Sequence, residues 1–384
     1  MTEMHAQLQA EIVTTTRGFY ALAAEWSDLL ENSPTDNPFL SHQWLGTWWE
    51  IYGSGELLII AVRAADRTLV GLLPLHRAKV FDPFPVVMVR FMGSSQVSSD
   101  FLECIVRRGW EESVYHVCLN VLQQKNIRWD VLMLQDMHQD SSFCRYLTVA
   151  NSKGMKILQD PGKSCPYLML PDSWEQMLDR LSKKVRQRVG YHRRALARMG
   201  NVELEPLTNS ADLQQGLADM VRLRQDRMNQ KGLPASKVNE KYIQFHNLLM
   251  PRFQVDNRLQ LYFLKIDGQR IAYLYLFSGS DNVYFYQTGF DREWSRHSVG
   301  FVLLGMVIEK MIENGFKQFE FLRGDEPYKY GWGTVSQKDL VDVIIPSGTF
   351  NSYLWQKHKA IINYLKRIAD AKGAIFINKA GKEN

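Results

Sequence analysis

The chain has 384 residues, 45% of them hydrophobic and 23% charged, which excludes a single small domain and an intrinsically disordered chain and points to two compact units or one duplicated unit. Forty-six Lys and Arg against 41 Asp and Glu leave a formal charge of +5, an excess that favours an anionic substrate without requiring nucleic acid. The start, MTEMHAQLQAEIVTTT, has no basic segment followed by an apolar run, and no apolar stretch nears the roughly 20 residues of a membrane helix, so a soluble, cytoplasmic protein without a transmembrane segment is expected.

In chain order, the aromatic-rich segment 41–53 (SHQWLGTWWEIYG) patterns as a helix, and 57–78 as two apolar strands around a polar turn at Asp66 and Arg67. A strand at 84–92 (FPVVMVRFM), a helix near Trp110 to Gln124 and a strand from Asp130 to Leu134 follow. Pro161, Gly162 and Pro166 then interrupt the pattern. Tyr167 to Leu170 reads as a short strand, and one helix runs from a cap at Asp172 or Ser173 to Gly200. A second series opens with a helix at 239–253, a hairpin over 259–279 around Asp267 and Gly268, and a strand at 282–290. It closes with a helix from Gly300 to Asn314 and a strand from Gln318 to Leu322.

Two helix, hairpin, strand, helix, strand units predict an α/β (α+β) protein of two tandem duplicated halves, with mixed, mostly antiparallel sheets flanked by helices. The expected units are 1–160, 161–348 and an amphipathic helical tail over 349–384, with Trp355, Ile361, Ile362, Leu365 and Ile368 between basic residues.

Three regions carry candidate chemistry. From Arg180 to Val202 stand eight Lys or Arg residues and no acid; on a helix this is a cationic rod, with Arg188 placed to meet a phosphate and Tyr191 able to stack or pack. Paired acids elsewhere in the fold are the other reading. Next, a strand ending near Gly289 leads through Arg292, Ser295, Arg296, His297, Ser298 and Val299 into a helix opened by Gly300. Free amides at a helix start and a glycine that allows close approach suit a pyrophosphate. The counterpart Gly93 to Asp100 lacks arginine, so only the second half is equipped for a phosphorylated cofactor. Third, 319–333 (FEFLRGDEPYKYGWG) delivers Arg323, Asp325, Glu326, Tyr328 and Lys329 to one sheet end, a concentrated set of proton-transfer and oxyanion-stabilising groups. Asp100 is the other carboxylate singled out, as a candidate base or a loop cap. Nine histidines without HExxH and four cysteines without close spacing predict no metal site.

Residues 38–50 (PFLSHQWLGTWWE), 183–200 (KKVRQRVGYHRRALARMG), Ser99 to Leu102 and above all 285–332 resemble the BioF2-like or CelD-type acyltransferases of the GCN5-related N-acetyltransferase (GNAT) superfamily, which are similar to the FemAB peptidoglycan aminoacyl transferases. The resemblance spans roughly 20–345 and is most specific at the glycine-led helix and LRGDEPYKYGW. It implies two tandem acyltransferase-like folds, the first with a degenerate cofactor site and the second holding acetyl-CoA or another acyl-CoA at Ser295 to Gly300, and an acceptor cleft lined by Arg323 to Lys329. The chain departs from the superfamily's fuller glycine-rich loop, since Arg296, His297, Ser298 and Val299 precede a single glycine.

The leading reading is an N-acyltransferase in which an amine attacks the thioester directly, with Asp325 or Glu326, or alternatively Asp100, as base, Lys329 at the oxyanion, and Arg323, Tyr328, Arg188 and Tyr191 binding substrate. The family context suggests a small-molecule or glycan-precursor acceptor, such as an amino sugar or nucleotide sugar in exopolysaccharide or cell-envelope synthesis. The runner-up is a FemAB-like transferase using aminoacyl-tRNA, nucleic acid otherwise not being expected. A third is a non-catalytic assembly factor in a polysaccharide-making complex.

Overall fold

The computed structural model describes residues 8–152, 155–230, 238–333 and 336–362. Strand β1 (Gln9–Val13) leads through helices α1 (Thr16–Ala21), α2 (Ala23–Glu31) and α3 (His42–Tyr52) into β2 (Glu56–Arg63), β3 (Leu69–Phe81) and β4 (Pro85–Phe91). After β5 (Ile105–Val106) come α4 (Glu111–Leu122), β6 (Val131–His138), α5 (Ser142–Ser152) and β7 (Leu158–Met169). Helices α6 (Trp174–Arg180) and α7 (Lys183–Ala197) precede β8 (Val202–Pro206), α8 (Leu213–Gln230) and α9 (Glu240–Val255). The chain continues through β9 (Leu259–Ile266), β10 (Gln269–Ser278), β11 (Asn282–Phe290), α10 (Val299–Glu313), β12 (Gln318–Glu320) and β13 (Ser336–Pro346).

The duplication is present in the topology. Each half has an antiparallel meander, β2-β3-β4 or β9-β10-β11, whose last strand pairs in parallel with the strand after a crossover helix. Only three residue pairs make each parallel contact, Met88 to Arg90 with Val131 to Met133, and Asn282 to Tyr284 with Gln318 to Glu320. In the second half β12 ends there while β11 runs on to Phe290, which opens a gap beside β11.

The expectation of separate sheets is corrected. One sheet runs in the order β1-β2-β3-β4-β6-β13-β7-β12-β11-β10-β9-β8, because the halves exchange strands: β7, which follows the first half, pairs with β12, and β13, which follows the second, pairs with β6. The interruption read at Pro161 to Pro166 is likewise a continuous strand. β7 runs through both prolines, where its partner β13 is irregular between Asp339 and Val341. The single helix expected up to Gly200 is two, since Leu181 is extended and Ser182 caps α7 through Val185 N at 3.4 Å. Of the tail, 350–362 is helical with Trp355 buried; Leu365 and Ile368 lie outside the described residues.

The core joins the halves. The equivalent helices α3 and α9 face one another, with the Trp44 indole 5.1 Å from Phe245, 5.5 Å from Phe277 and 5.0 Å from Phe39. At the rim Arg252 pairs with Glu50 at 2.9 Å. On the other face of the second half, α10 buries Val302, Leu303, Val307, Ile308 and Met311 against β9, β10 and β11, which its continuous apolar sequence demands. Trp332 stacks on Phe301 there, with ring centroids 4.8 Å apart. All four cysteines are buried and unpaired.

Gly305 of α10 leaves room for that indole: a Cβ at this position would stand 2.6 Å from the Trp332 ring. Gly to Ala in a helix interior ordinarily gains stability by up to about 1 kcal/mol. Here Gly305→Ala is expected to lose about 1–3 kcal/mol through overpacking, measured by denaturant unfolding.

Candidate active site

The parting of β11 from β12 creates two adjoining cavities, of about 270 and 320 Å3, that share Arg227, Phe285, Thr288 and Tyr328. Strand β11 forms their floor. The first turn of α10 closes the first cavity, α8 supplies one wall, and the loop after β12 forms the lip.

In the first cavity, Ser298 adopts a left-handed conformation (φ 56°, ψ 33°) that swings the chain into α10 without its side chain capping the helix. The first-turn amides of α10 therefore have no side-chain acceptor. Ser295, Ser298, Val299 and Gly300 line this cavity together with the apolar Leu274, Phe290, Phe301 and Leu304. Glycine at 300 is not forced by the surrounding protein, since a Cβ would meet only Phe290, at 3.6 Å; the space it leaves belongs to the cavity. Arg296 and His297 do not line it, His297 lying beside Trp294 at 5.7 Å between centroids. Positive charge comes instead from Arg188, whose guanidinium lies 4.2 Å from the Phe301 ring, and from Arg227. Tyr191 is 63% exposed, sits against His192, and lines neither cavity.

The second cavity is bounded by Glu326, Tyr328, Arg224, Arg227 and, from the first half, Ser98 and Asp100. Arg227 donates to the Thr288 carbonyl at 2.8 Å and hydrogen-bonds Tyr328. Burial pushes the Tyr328 hydroxyl up to about 12, against the opposing pull of Arg227, so it is a proton donor at neutral pH. Glu326 faces the cavity and pairs with Lys329 at 2.9 Å.

Several residues picked from the sequence have other work. Asp325 is exposed, lies outside both cavities, and is met by the Tyr330 hydroxyl at 3.5 Å. Lys329 is buried and donates to the carbonyls of Leu322, Arg323 and Gly324 at 3.1, 2.8 and 3.1 Å. Its three protons hold the loop, so it is a positioning residue and not an oxyanion donor. Arg323 is committed as well. Its Nε and backbone N–H donate to Asp100, Nη1 meets Asp136 at 2.8 Å, and Nη2 donates to the Ser99 carbonyl at 2.5 Å. Asp100, 1% exposed, is thus the anchor of a clamp and not a base. Burial pushes both carboxyls up, Asp136 to about 6, and Arg323 opposes this at each. Arg224 and Arg227 were not singled out from the sequence. The signal available was the run VRLRQDR on a helix beside the cleft.

Among the described residues no group of His, Cys, Asp and Glu could hold a metal ion, and no helix is long and apolar enough to cross a membrane. Another cavity, of about 790 Å3, lies away from this site, between Trp129 and Asn351.

Residues 183–330 match the family described as acetyltransferase (GNAT) domain. Solved structures with the same fold include FemX (TM-score 0.61, 12% identity, covering 87% of this chain and 96% of that one). A conserved protein of unknown function from Bacteroides thetaiotaomicron aligns at a TM-score of 0.56 and 11% identity over 87% of this chain and 100% of that one. L-PGS from Bacillus licheniformis aligns at 0.52 and 10% over 89% and 96%. No curated protein matches the sequence.

Two outcomes test the clamp. Asp100→Asn leaves Arg323 short of a buried counter-charge and is expected to cost at least about 3 kcal/mol in denaturant unfolding. Because Asp136 holds its proton more tightly folded than unfolded, its contribution is fully present below pH 3.8 and is lost as pH rises to about 6. In Asp136→Asn that decline, followed as unfolding free energy against pH, should disappear.

Proposed function

We propose that the protein is an acyl-CoA-dependent N-acyltransferase acting by direct attack, a reading supported by the match of residues 183–330 to the acetyltransferase (GNAT) domain family. The observation that carries this reading is the pair of adjoining cavities meeting at Tyr328 and Arg227, one at an uncapped helix start and one holding a carboxylate. Acyl-CoA would supply an activated thioester. The amides of Val299 and Gly300 with Arg188 suit its diphosphate, and Leu274, Phe290, Phe301 and Leu304 suit the uncharged arm. Its fit rests on the uncapped first turn and on the open space at Gly300.

In this account Glu326 takes the proton of the acceptor amine, directly or through one water, in the second cavity. Tyr328, standing on the boundary between the cavities, gives a proton to the departing sulfur, and Arg227 orients it. Lys329 and the Arg323 clamp fix the loop that carries both groups. An amino sugar or a nucleotide-linked glycan precursor is the acceptor class that the family resemblance favours.

The aminoacyl-tRNA reading has one observation of its own. Lys183, Lys184, Arg194 and Arg198 of the rod are exposed, and among the described residues none makes an ion pair, although Arg186 pairs with Asp179 and Arg193 with Glu309. A true tRNA complex would weaken steeply with salt.

The readings separate on variants. Gly300→Val should fold normally and bind acetyl-CoA weakly in calorimetry, since the branched side chain occupies the cavity. Glu326→Gln and Tyr328→Phe should bind it normally, with turnover measured by thiol release falling about a hundredfold. Normal binding by Gly300→Val, or parental turnover by Glu326→Gln at every pH, contradicts the assignment.

A further inference from the structure

The second cavity is more cationic than proton transfer requires. Four of its lining side chains are basic and two acidic. Arg323 and Asp100 neutralise one another in the clamp, and Lys329 faces Glu326. Arg224 and Arg227 remain. Arg227 is occupied with the Thr288 carbonyl and Tyr328.

Arg224 is different. It projects from the middle of α8, its guanidinium lies 5.1 Å from the Tyr242 ring, and its Nε is buried without an acceptor. Its partners are neutral: it hydrogen-bonds Tyr273, which like Tyr242 donates its own hydroxyl proton to Gln287 Oε1, at 2.9 and 2.5 Å, and Tyr286 and the buried His246 stand beside it. Among the described residues Arg224 makes no ion pair, and the groups that act on its charge are tyrosines. Nor does the sequence 231–237 (KGLPASK), which follows α8, contain an acid. A largely desolvated guanidinium beside ring faces, opening on a cavity, lacks only its anion.

We propose that the acceptor supplies it: the substrate is an amine that also carries an oxyanion, carboxylate or phosphate, with Arg224 binding the anion while the nitrogen lies at Glu326 and Tyr328. Arg224 is then a specificity-determining residue, selecting charged amines over neutral ones. The cavity's volume of about 320 Å3 suits a small molecule such as an amino acid or an amino-sugar phosphate. This inference rests on the acyl-transfer reading for the placement of the amine, while the anion preference itself does not.

The test is calorimetry on the full chain with matched probes, glucosamine 6-phosphate against glucosamine and serine against serinamide, for the parent, Arg224→Gln and Arg224→Lys. In the parent at least one anionic probe is expected to bind about tenfold to a hundredfold more tightly than its neutral partner, and which pair shows it distinguishes phosphate from carboxylate. Arg224→Gln should abolish the preference, Arg224→Lys should keep part of it, and acetyl-CoA affinity should be unchanged in both. Equal binding of both members in both pairs, no binding of either anionic probe at millimolar concentration, or a preference that survives in Arg224→Gln would overturn the proposal. Failure of the acyl-transfer reading shows separately, as an anion preference that persists in a protein that neither binds acetyl-CoA nor releases thiol.

Discussion

The guanidinium of Arg323 joins the two halves at the point where the site needs them joined. Asp136 and Arg323 each stand three residues past the short parallel pairing of their own half, so the duplication places a carboxylate and a guanidinium face to face at 2.8 Å. Asp100 completes the triad from the first-half loop. Around it the backbone is held in costly conformations: Ser98, Phe101, Asp136 and Leu322 all have positive φ, between 52° and 60°. Each such residue costs roughly 1–3 kcal/mol and persists only where its surroundings over-determine it. The clamp provides that determination, and the loop carrying Glu326 and Tyr328 leaves directly from it.

The first half also helps to build the cavity of the second. Its loop Gly93 to Asp100 follows β4 as Ser295 to Gly300 follows β11 in chain order, and it is docked on the second half. Tyr286 donates to the Val97 carbonyl at 2.7 Å and Arg323 to the Ser99 carbonyl at 2.5 Å, while Trp44 of the first half donates to the Ser99 hydroxyl at 2.9 Å. Ser98 and Asp100 thereby become wall residues of the second half's cavity. Strand exchange through β7 and β13 makes the two halves one sheet, so this wall cannot drift from the floor opposite it.

The duplicated pattern was legible because hairpins and apolar helices announce themselves by periodicity, and α10, β9, β10 and β11 stand where 259–322 predicted them. Strand exchange was not legible, since Val341, Val343 and Ile345 of β13 suit β6 or any other strand equally. The site was half legible. Gly300, Glu326 and Tyr328, picked from the sequence, line the cavities, but a dense charged motif does not reveal which charges are mutually consumed. Arg323 looked like a substrate ligand and Lys329 like an oxyanion donor, and both are internal ties, because their partners, Asp100 and three backbone carbonyls, are set by tertiary structure. Arg224 and Arg227 are the converse case, ordinary in a polar helix until the fold lays that helix beside β11.

In the proposed transfer only the second of the two halves would receive the acyl donor. Hydrogen exchange of the full chain with and without acetyl-CoA tests it most directly. The account predicts slower exchange at the first turn of α10, residues 299–304, and along β11 at 285–290, with no change at the start of α4, residues 110–114. Protection at 110–114, or its absence at 299–304 when acetyl-CoA is bound, would contradict it.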